Sequence, residues 1–188
     1  MDSIANFLFE ARMLKALPRS GYQFLGNGRE SVAEHVYITS MIGFVMAQLN
    51  PAADSRRLIG MCLLHDLPEA RTGDLNAVQK NYVDAREHRA LADAVAGLSF
   101  GPAITALQAE FNAGETLEAR LARDADQLAF ILDLKALADV GYRTPVKWLE
   151  HVVQRLHTDT GKSLADSILR TDWDAWWLKN YVDSPTRT

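Results

Sequence analysis

Cysteine is nearly absent from this chain: Cys62 is the single one in 188 residues. A lone thiol excludes an internal disulfide, and its apolar neighbours suit an inert, buried side chain, which points to a cytoplasmic protein. An excess of basic charge is missing as well. With 20 Lys and Arg against 24 Asp and Glu, the net charge is -4 and the pI is near 5.7. That balance argues against binding to duplex nucleic acid or an anionic membrane surface, while leaving room for a small anionic substrate in a local basic pocket. There is no long uninterrupted apolar run: the greasiest stretch, 36–49, is broken by Thr39, Ser40 and Gln48 and is too short to cross a bilayer. The first residues mix Asp2, Glu10 and Arg12 with apolar positions, so no signal peptide is expected. Internal repeats, low-complexity segments and strand-like alternation are also lacking.

What is present is helical periodicity, in a chain that is 48% hydrophobic and long enough for one well-packed domain over 1–188. Ile4, Phe7, Leu8, Ala11, Leu14 and Leu17 recur at spacings of three and four, predicting a helix over 2–17 that Pro18 ends. Ser31 and Glu34 form a capping box, opening a helix that runs to about Leu49 with His35 in its first turn. Asn50-Pro51 predicts a cap and first position for a mostly buried helix over 51–66. The charged run 79–89 reads as a solvated helix face. Further helices are predicted over 102–113, 116–140, 144–157 and 163–170, and Asp172 caps a short last one with Trp173, Trp176 and Trp177 on one face. The fold class is therefore all-α, a bundle of about seven to nine helices.

The chemistry gathers where the third helix ends, in Leu64-His65-Asp66-Leu67-Pro68-Glu69-Ala70-Arg71-Thr72-Gly73-Asp74. Neutral imidazole and ionised carboxylate both bind divalent cations, and another carboxylate nearby can move protons. The His-Asp dipeptide alone carries little weight: 5 His and 15 Asp in 188 residues give about 0.4 such pairs by chance. Two other polar residues interrupt apolar helices, His35 and Asp126. Singly, each has a plain structural reading, a hydrogen-bonded core histidine and a paired or solvated aspartate. Glu69 also suits a helix first turn, Asp74 a turn after Gly73, and Arg19 the electronegative end of the first helix.

Taken in order, these residues resemble the HD-domain metal-dependent phosphohydrolases, in their 5′-deoxynucleotidase branch. The resemblance rests on Pro18-Arg19-Ser20-Gly21-Tyr22, Glu30-Ser31-Val32-Ala33-Glu34-His35, Leu64-His65-Asp66 with Glu69-Ala70, and Thr72-Gly73-Asp74. Thr116-Leu117-Glu118-Ala119 leading into Asp124-Ala125-Asp126-Gln127-Leu128 completes it, over about 5–140. It implies an HD domain whose metal-site core lies in that span, with packing helices in about 141–188. It implies that His35, His65, Asp66 and Asp126 bind one divalent metal, for which Mn, Fe, Co, Ni or Zn suit the donor set and Mg is also admitted. Glu69 matches the family's catalytic carboxylate, Arg19 the phosphate-holding residue and Asp74 the residue that inspects the sugar. Asp124 is expected to be solvated or to stand beside a ligand.

The activity so implied is hydrolysis of deoxyribonucleoside 5′-monophosphates to deoxyribonucleosides and phosphate, by a homodimer with no polymer or membrane partner. Three alternatives stand beside it. One is an HD phosphohydrolase for another small phosphate ester or nucleotide. Another is a di-iron oxygenase, which needs further histidines where only His88 occurs. The third is a helical scaffold with a structural metal. The Trp-rich end is assigned to packing or oligomer contacts, with core packing preferred.

Overall fold

Helices dominate because nearly every apolar stripe repeats at helical spacing, and local caps decide where each begins. The computed structural model describes residues 1–182. Among these residues there are nine helices of eight or more residues, one single-turn helix and no β-strand. They are α1 (Asp2–Ala11), α2 (Val32–Leu49), α3 (Ser55–Leu64), the single turn α4 (Glu69–Thr72), α5 (Glu87–Ala94), α6 (Gly101–Ala113), α7 (Leu117–Asp139), α8 (Arg143–Val152), α9 (Asp159–Arg170) and α10 (Ala175–Val182). The fold is all-α, as the periodicity predicts.

The long helix α7 is the hub, packed against α2, α3, α6, α8 and α9. Its small residues Ala119, Ala122 and Ala125 are fully buried, allowing its neighbours to approach closely, while Leu121, Leu128, Ile131 and Leu134 fill the space beside Met46, Leu58 and Met61. A second cluster, Leu67, Leu91, Val95, Leu98 and Ile104, lies under the segment after α3 and is covered by Ile4 and Phe7 of α1. Thus the start of the His65–Asp74 stretch is anchored to apolar residues through Leu64 and Leu67.

The capping box at Ser31 forms as predicted. Ser31 Oγ accepts from Glu34 N at 3.2 Å, and Ser31 N donates to Glu34 Oε2 at 2.6 Å. Several other boundaries differ. The predicted helix over 2–17 stops at Ala11, and Arg12–Lys15 tighten into a 3-10 turn. This lets Leu17 O accept from Val32 N and Arg19 N donate to Glu30 O, at 2.9 and 2.8 Å, tying the chain before Ser20 to the start of α2. Pro51 does not open α3. Asp54 does, its carboxylate accepting from Arg56 N and Arg57 N at 3.0 and 3.1 Å, while Asn50 Nδ2 donates back to Met46 O at 2.7 Å.

The run 79–89 is helical only at its end: a 3-10 turn at Gln79–Asn81 is followed by irregular chain until α5 begins at Glu87. α9 starts at Asp159, four residues before the predicted Ser163, because Thr158 Oγ1 accepts from Gly161 N at 2.9 Å. α3 is not buried all round, since Leu63 is 56% exposed.

Core packing of the terminal tryptophans is overturned: Trp173, Trp176 and Trp177 are all exposed, Trp176 by 76%. The tryptophan that reaches the core is Trp148 of α8. By length and composition alone α2 is long and apolar enough to cross a membrane, contrary to the expectation drawn from its interrupted run. Its packing against α3 and α7 makes it a helix of this bundle. Residues 183–188, the end of the expected C-terminal packing region, lie outside the described residues.

Candidate metal centre

Four separate segments deliver side chains to one point. His35 comes from the first turn of α2, His65 and Asp66 from the end of α3, Asp126 from the middle of α7, and Arg19 from the chain before α2. One ligand atom each from His35, His65 and Asp126 lie within 4.8 Å of one another. His35 Nε2 is 2.9 Å from Asp126 Oδ1, and His65 Nε2 is 3.9 Å from the same oxygen. Asp66 Oδ2 is 3.1 Å from His65 Nε2 and 3.8 Å from His35 Nε2.

These separations suit a single first-row ion, because atoms bound at about 2.1 Å lie about 3–4 Å apart. Ring orientation supports the same fit. His65 Nδ1 donates to Cys62 O at 2.8 Å, which turns Nε2 toward the cluster. Buried Nε2 makes no well-directed hydrogen bond, although the Asp66 and Asp126 oxygens lie 3.1 and 3.9 Å from it. A divalent ion there would meet the two imidazoles and Asp126, which form the group of three, while Asp66 stands beside both histidines and falls outside that group.

The electrostatics reflect crowded carboxylates. Burial works to lower the His65 pKa, but Asp66, Asp126 and the Cys62 carbonyl outweigh it and raise the imidazole to about 9. Burial works to raise Asp66 and Asp126, and the two histidines with Arg19 hold both below the ordinary carboxylate range. Glu69 goes the other way: burial first, then the charges of Asp66 and Asp74, push its carboxyl up to about 9. Its Oε2 is buried without a partner. Glu69 is not on a continuation of α3. Successive turns, Leu67 N to Leu64 O and Glu69 N to Asp66 O, both at 3.0 Å, bring it round instead.

Arg19 and Asp74 face the same open cavity of about 320 Å³ as Asp66, Glu69 and Asp126. Arg19 Nη1 donates to Asp66 Oδ2 at 3.3 Å. Although burial opposes it, the surrounding Asp66, Asp126, Asp74 and Glu69 charges raise the guanidinium pKa further, so it is permanently cationic. Asp74 accepts from Ser20 N and Oγ through one oxygen, at 2.6 and 3.2 Å. That clamp joins the turn after Gly73 to the turn after Arg19, making the Arg19 and Asp74 backbones one unit.

Two residues took on roles the sequence reading missed. Glu30 Oε2 lies 3.8 Å from His35 Nδ1 and 4.0 Å from Arg19 Nε, behind both. Its place in the Glu30–His35 motif was the available signal, but only the fold shows which atoms it faces. Asp124 is neither solvated nor at the cluster. It is fully buried and accepts from His157 N, Thr158 N and Thr158 Oγ1 at 2.8, 2.8 and 2.6 Å, two residues before Asp126 on a different side of α7. A Cβ on Gly161 would sit 2.3 Å from Asp124 Oδ2, so α9 can approach only with glycine there. His88 is exposed and lines a separate pocket with Glu87 and Leu91, away from the cluster.

A helical bundle that brings imidazoles and carboxylates together beside an open cavity lined by an arginine is what an HD-domain metal-dependent phosphohydrolase is expected to present. Residues 11–167 match the HD domain family, and the chain belongs to it. It is 27% identical over 143 residues to the "5′-deoxynucleotidase hdd1" of Schizosaccharomyces pombe, covering 70% of this chain and 71% of that one. It is 29% identical over 144 residues to the "5′-deoxynucleotidase HDDC2" of Dictyostelium discoideum, covering 70% and 76%. The same fold occurs in the crystal structure of a predicted metal-dependent phosphohydrolase from Magnetospirillum magnetotacticum MS-1, at TM-score 0.67 and 23% identity, with 89% of this chain and 92% of that one covered.

Proposed function

We propose that this enzyme hydrolyses deoxyribonucleoside 5′-monophosphates, with His35, His65, Asp66 and Asp126 holding one divalent ion, for which Mn, Fe, Co, Ni, Zn or Mg are all candidates. The carrying observation is the convergence of His35, His65 and Asp126, with Asp66 3.1 Å from His65 Nε2, beside a cavity that also contains Arg19, Glu69 and Asp74. When bound, the ion supplies Lewis acidity toward a phosphoryl oxygen and toward water.

The protein's own groups divide the remaining work. Arg19 releases its contact with Asp66 to hold phosphate oxygens through the planar guanidinium. Burial, then the Asp66 and Asp74 charges, hold the Glu69 carboxyl up to about 9, and those charges would be offset by a bound cation. In its ionised form Glu69 takes the proton of the attacking water as the new O–P bond forms, then returns it to the sugar O5′ as the P–O5′ bond breaks. Asp74, anchored by Ser20 through one oxygen, directs the other to a sugar hydroxyl and so selects deoxyribose.

The test is phosphate release from dAMP, dGMP, TMP and dCMP and from the ribonucleotides, on metal-stripped protein with each ion added back. Deoxyribonucleotide turnover that needs metal is expected. Equal rates on ribonucleotides, or turnover without metal, would overturn the reading. Substituting Glu69→Ala should lower kcat by about 10²–10⁴-fold with metal still bound, as counted by atomic emission.

The reading extends to a cytoplasmic homodimer. The exposed Trp176, Trp177 and Tyr181 of α10 offer apolar surface to a second copy. Light scattering at working concentration should give twice the chain mass of 20.9 kDa, and a single-chain mass would remove that part alone.

A further inference from the structure

The cavity beside the acidic cluster is aromatic on one side. Phe130, Trp148 and Tyr22 line it together with Arg19, Asp74 and Asp126. Phe130 follows Asp126 by four residues on α7, so it lies on the same helix face about 6 Å further along the axis. Trp148 of α8 meets Phe130 edge to face, with ring centroids 5.8 Å apart at 84°. Phe24 stacks on the same indole at 6.5 Å and 22°, bracing it. The Tyr22 hydroxyl is committed to Asp133, which fixes the ring at the cavity wall. Phe130 and Trp148 are only half-buried although both touch the main core, so part of each ring faces open space.

Such a wall is poorly matched to phosphate or sugar, which need charge and hydrogen bonds. It suits a flat, apolar-faced group joined to a phosphate end by a short polar spacer. A rigid aromatic surface gains from any base, because every base has a π-face.

We propose that Trp148 and Phe130 form the nucleobase subsite, with Trp148 the principal contact, and that they hold purines and pyrimidines alike by packing rather than by reading base edges. This rests on the nucleotidase reading and adds to it the part of the substrate that pays no role in the chemistry. It also gives a function to a segment beyond residue 140 that carries no recognised motif.

The experiment compares dAMP and TMP with 2-deoxyribose 5-phosphate, which has the phosphate and sugar but no base. Wild-type enzyme should prefer both nucleotides over the baseless ester in kcat/KM. Trp148→Ala should shrink that preference about tenfold, chiefly through KM, and Trp148→Phe should retain most of it. Trp148→Leu keeps apolar bulk without the aromatic face, and serves if the alanine variant does not fold by circular dichroism. The proposal fails if wild type shows no preference for the nucleotides, or if the preference survives in the alanine or leucine variant. It also fails if all three substrates lose equally. Those results leave the phosphohydrolase reading standing, whereas absence of phosphate release from all three substrates with every metal overturns both.

Discussion

At the scale of single residues, the centre depends on groups that do not touch the reacting atoms. One oxygen of Glu30 lies 3.8 Å from His35 Nδ1 and 4.0 Å from Arg19 Nε, so it stands behind a candidate ligand and the proposed phosphate-holding cation together. Burial and the neighbouring Asp133 push the Glu30 carboxyl up to about 8, so Glu30→Gln changes what this group can accept more than its charge near neutral pH, and should weaken metal affinity by about 10–100-fold while raising KM. Isothermal titration with Mn or Co checks the first effect, and a KM left at the wild-type value would show that Arg19 does not depend on Glu30. Asp124 is a different case. Removing its carboxylate leaves the N–H groups of His157 and Thr158 without their acceptor, so Asp124→Ala should cost about 3 kcal/mol in urea unfolding. His35 and Asp126 stand out in the sequence because each interrupts an apolar helix, and His65 because it ends one, but their grouping as ligands comes from the family resemblance. The roles of Glu30 and Asp124 do not stand out, because they are set by partners about five and thirty-three residues away whose approach only packing decides.

At the scale of elements, local chemistry located some boundaries and misplaced others. The capping box at Ser31 was readable because both halves of the exchange lie within four residues. Ser31→Ala should cost about 1 kcal/mol, measured by thermal or urea unfolding. The Ser31 backbone and side chain hold the exposed Glu34 carboxyl below its ordinary range. Its folded pKa is therefore below its unfolded one, so the stabilising contribution is complete above the ordinary Glu range and is lost as pH falls through the lowered folded value. The stability difference between wild type and Ser31→Ala should accordingly narrow in acid, and a constant difference down to pH 2 would contradict it. The starts of α3 and α9 were misread for one reason. Asp54 and Thr158 each had to compete with another nearby signal, Pro51 and Ser163, and the competition was settled by contacts across the bundle, such as Glu118 accepting from Asp54 N at 2.8 Å.

At the scale of the whole molecule, segments from α2, α3 and α7 converge on the centre, so an ion there bridges the main helices of the core. Binding to the folded state alone stabilises it by about 2.7 kcal/mol at 100 times Kd. For a chain of this size that is about 5–10 °C in melting temperature. Scanning fluorimetry with chelator and with each ion should show such a rise, reduced in His65→Ala. The terminal tryptophans illustrate what whole-molecule context withholds from a sequence: a one-sided aromatic stripe declares that something covers it, and does not say whether the same chain does.

Asp124 and Asp126 stand two positions apart on α7, about 200° around the helix axis, and point to different tasks. One clasps the start of α9, and the other contributes to the cluster with the histidines. The rotation of α7 is therefore braced from its far side. A chain cut after residue 140 would keep every candidate ligand, yet lose the clasp that sets the angle at which Asp126 meets its partners. Because that cut also strips Leu149, Val152, Leu156 and Ala165 from the main core, the clasp alone is read from Asp124→Asn, in which loss of metal retention would be a mechanical failure arising at a place that contains no ligand at all.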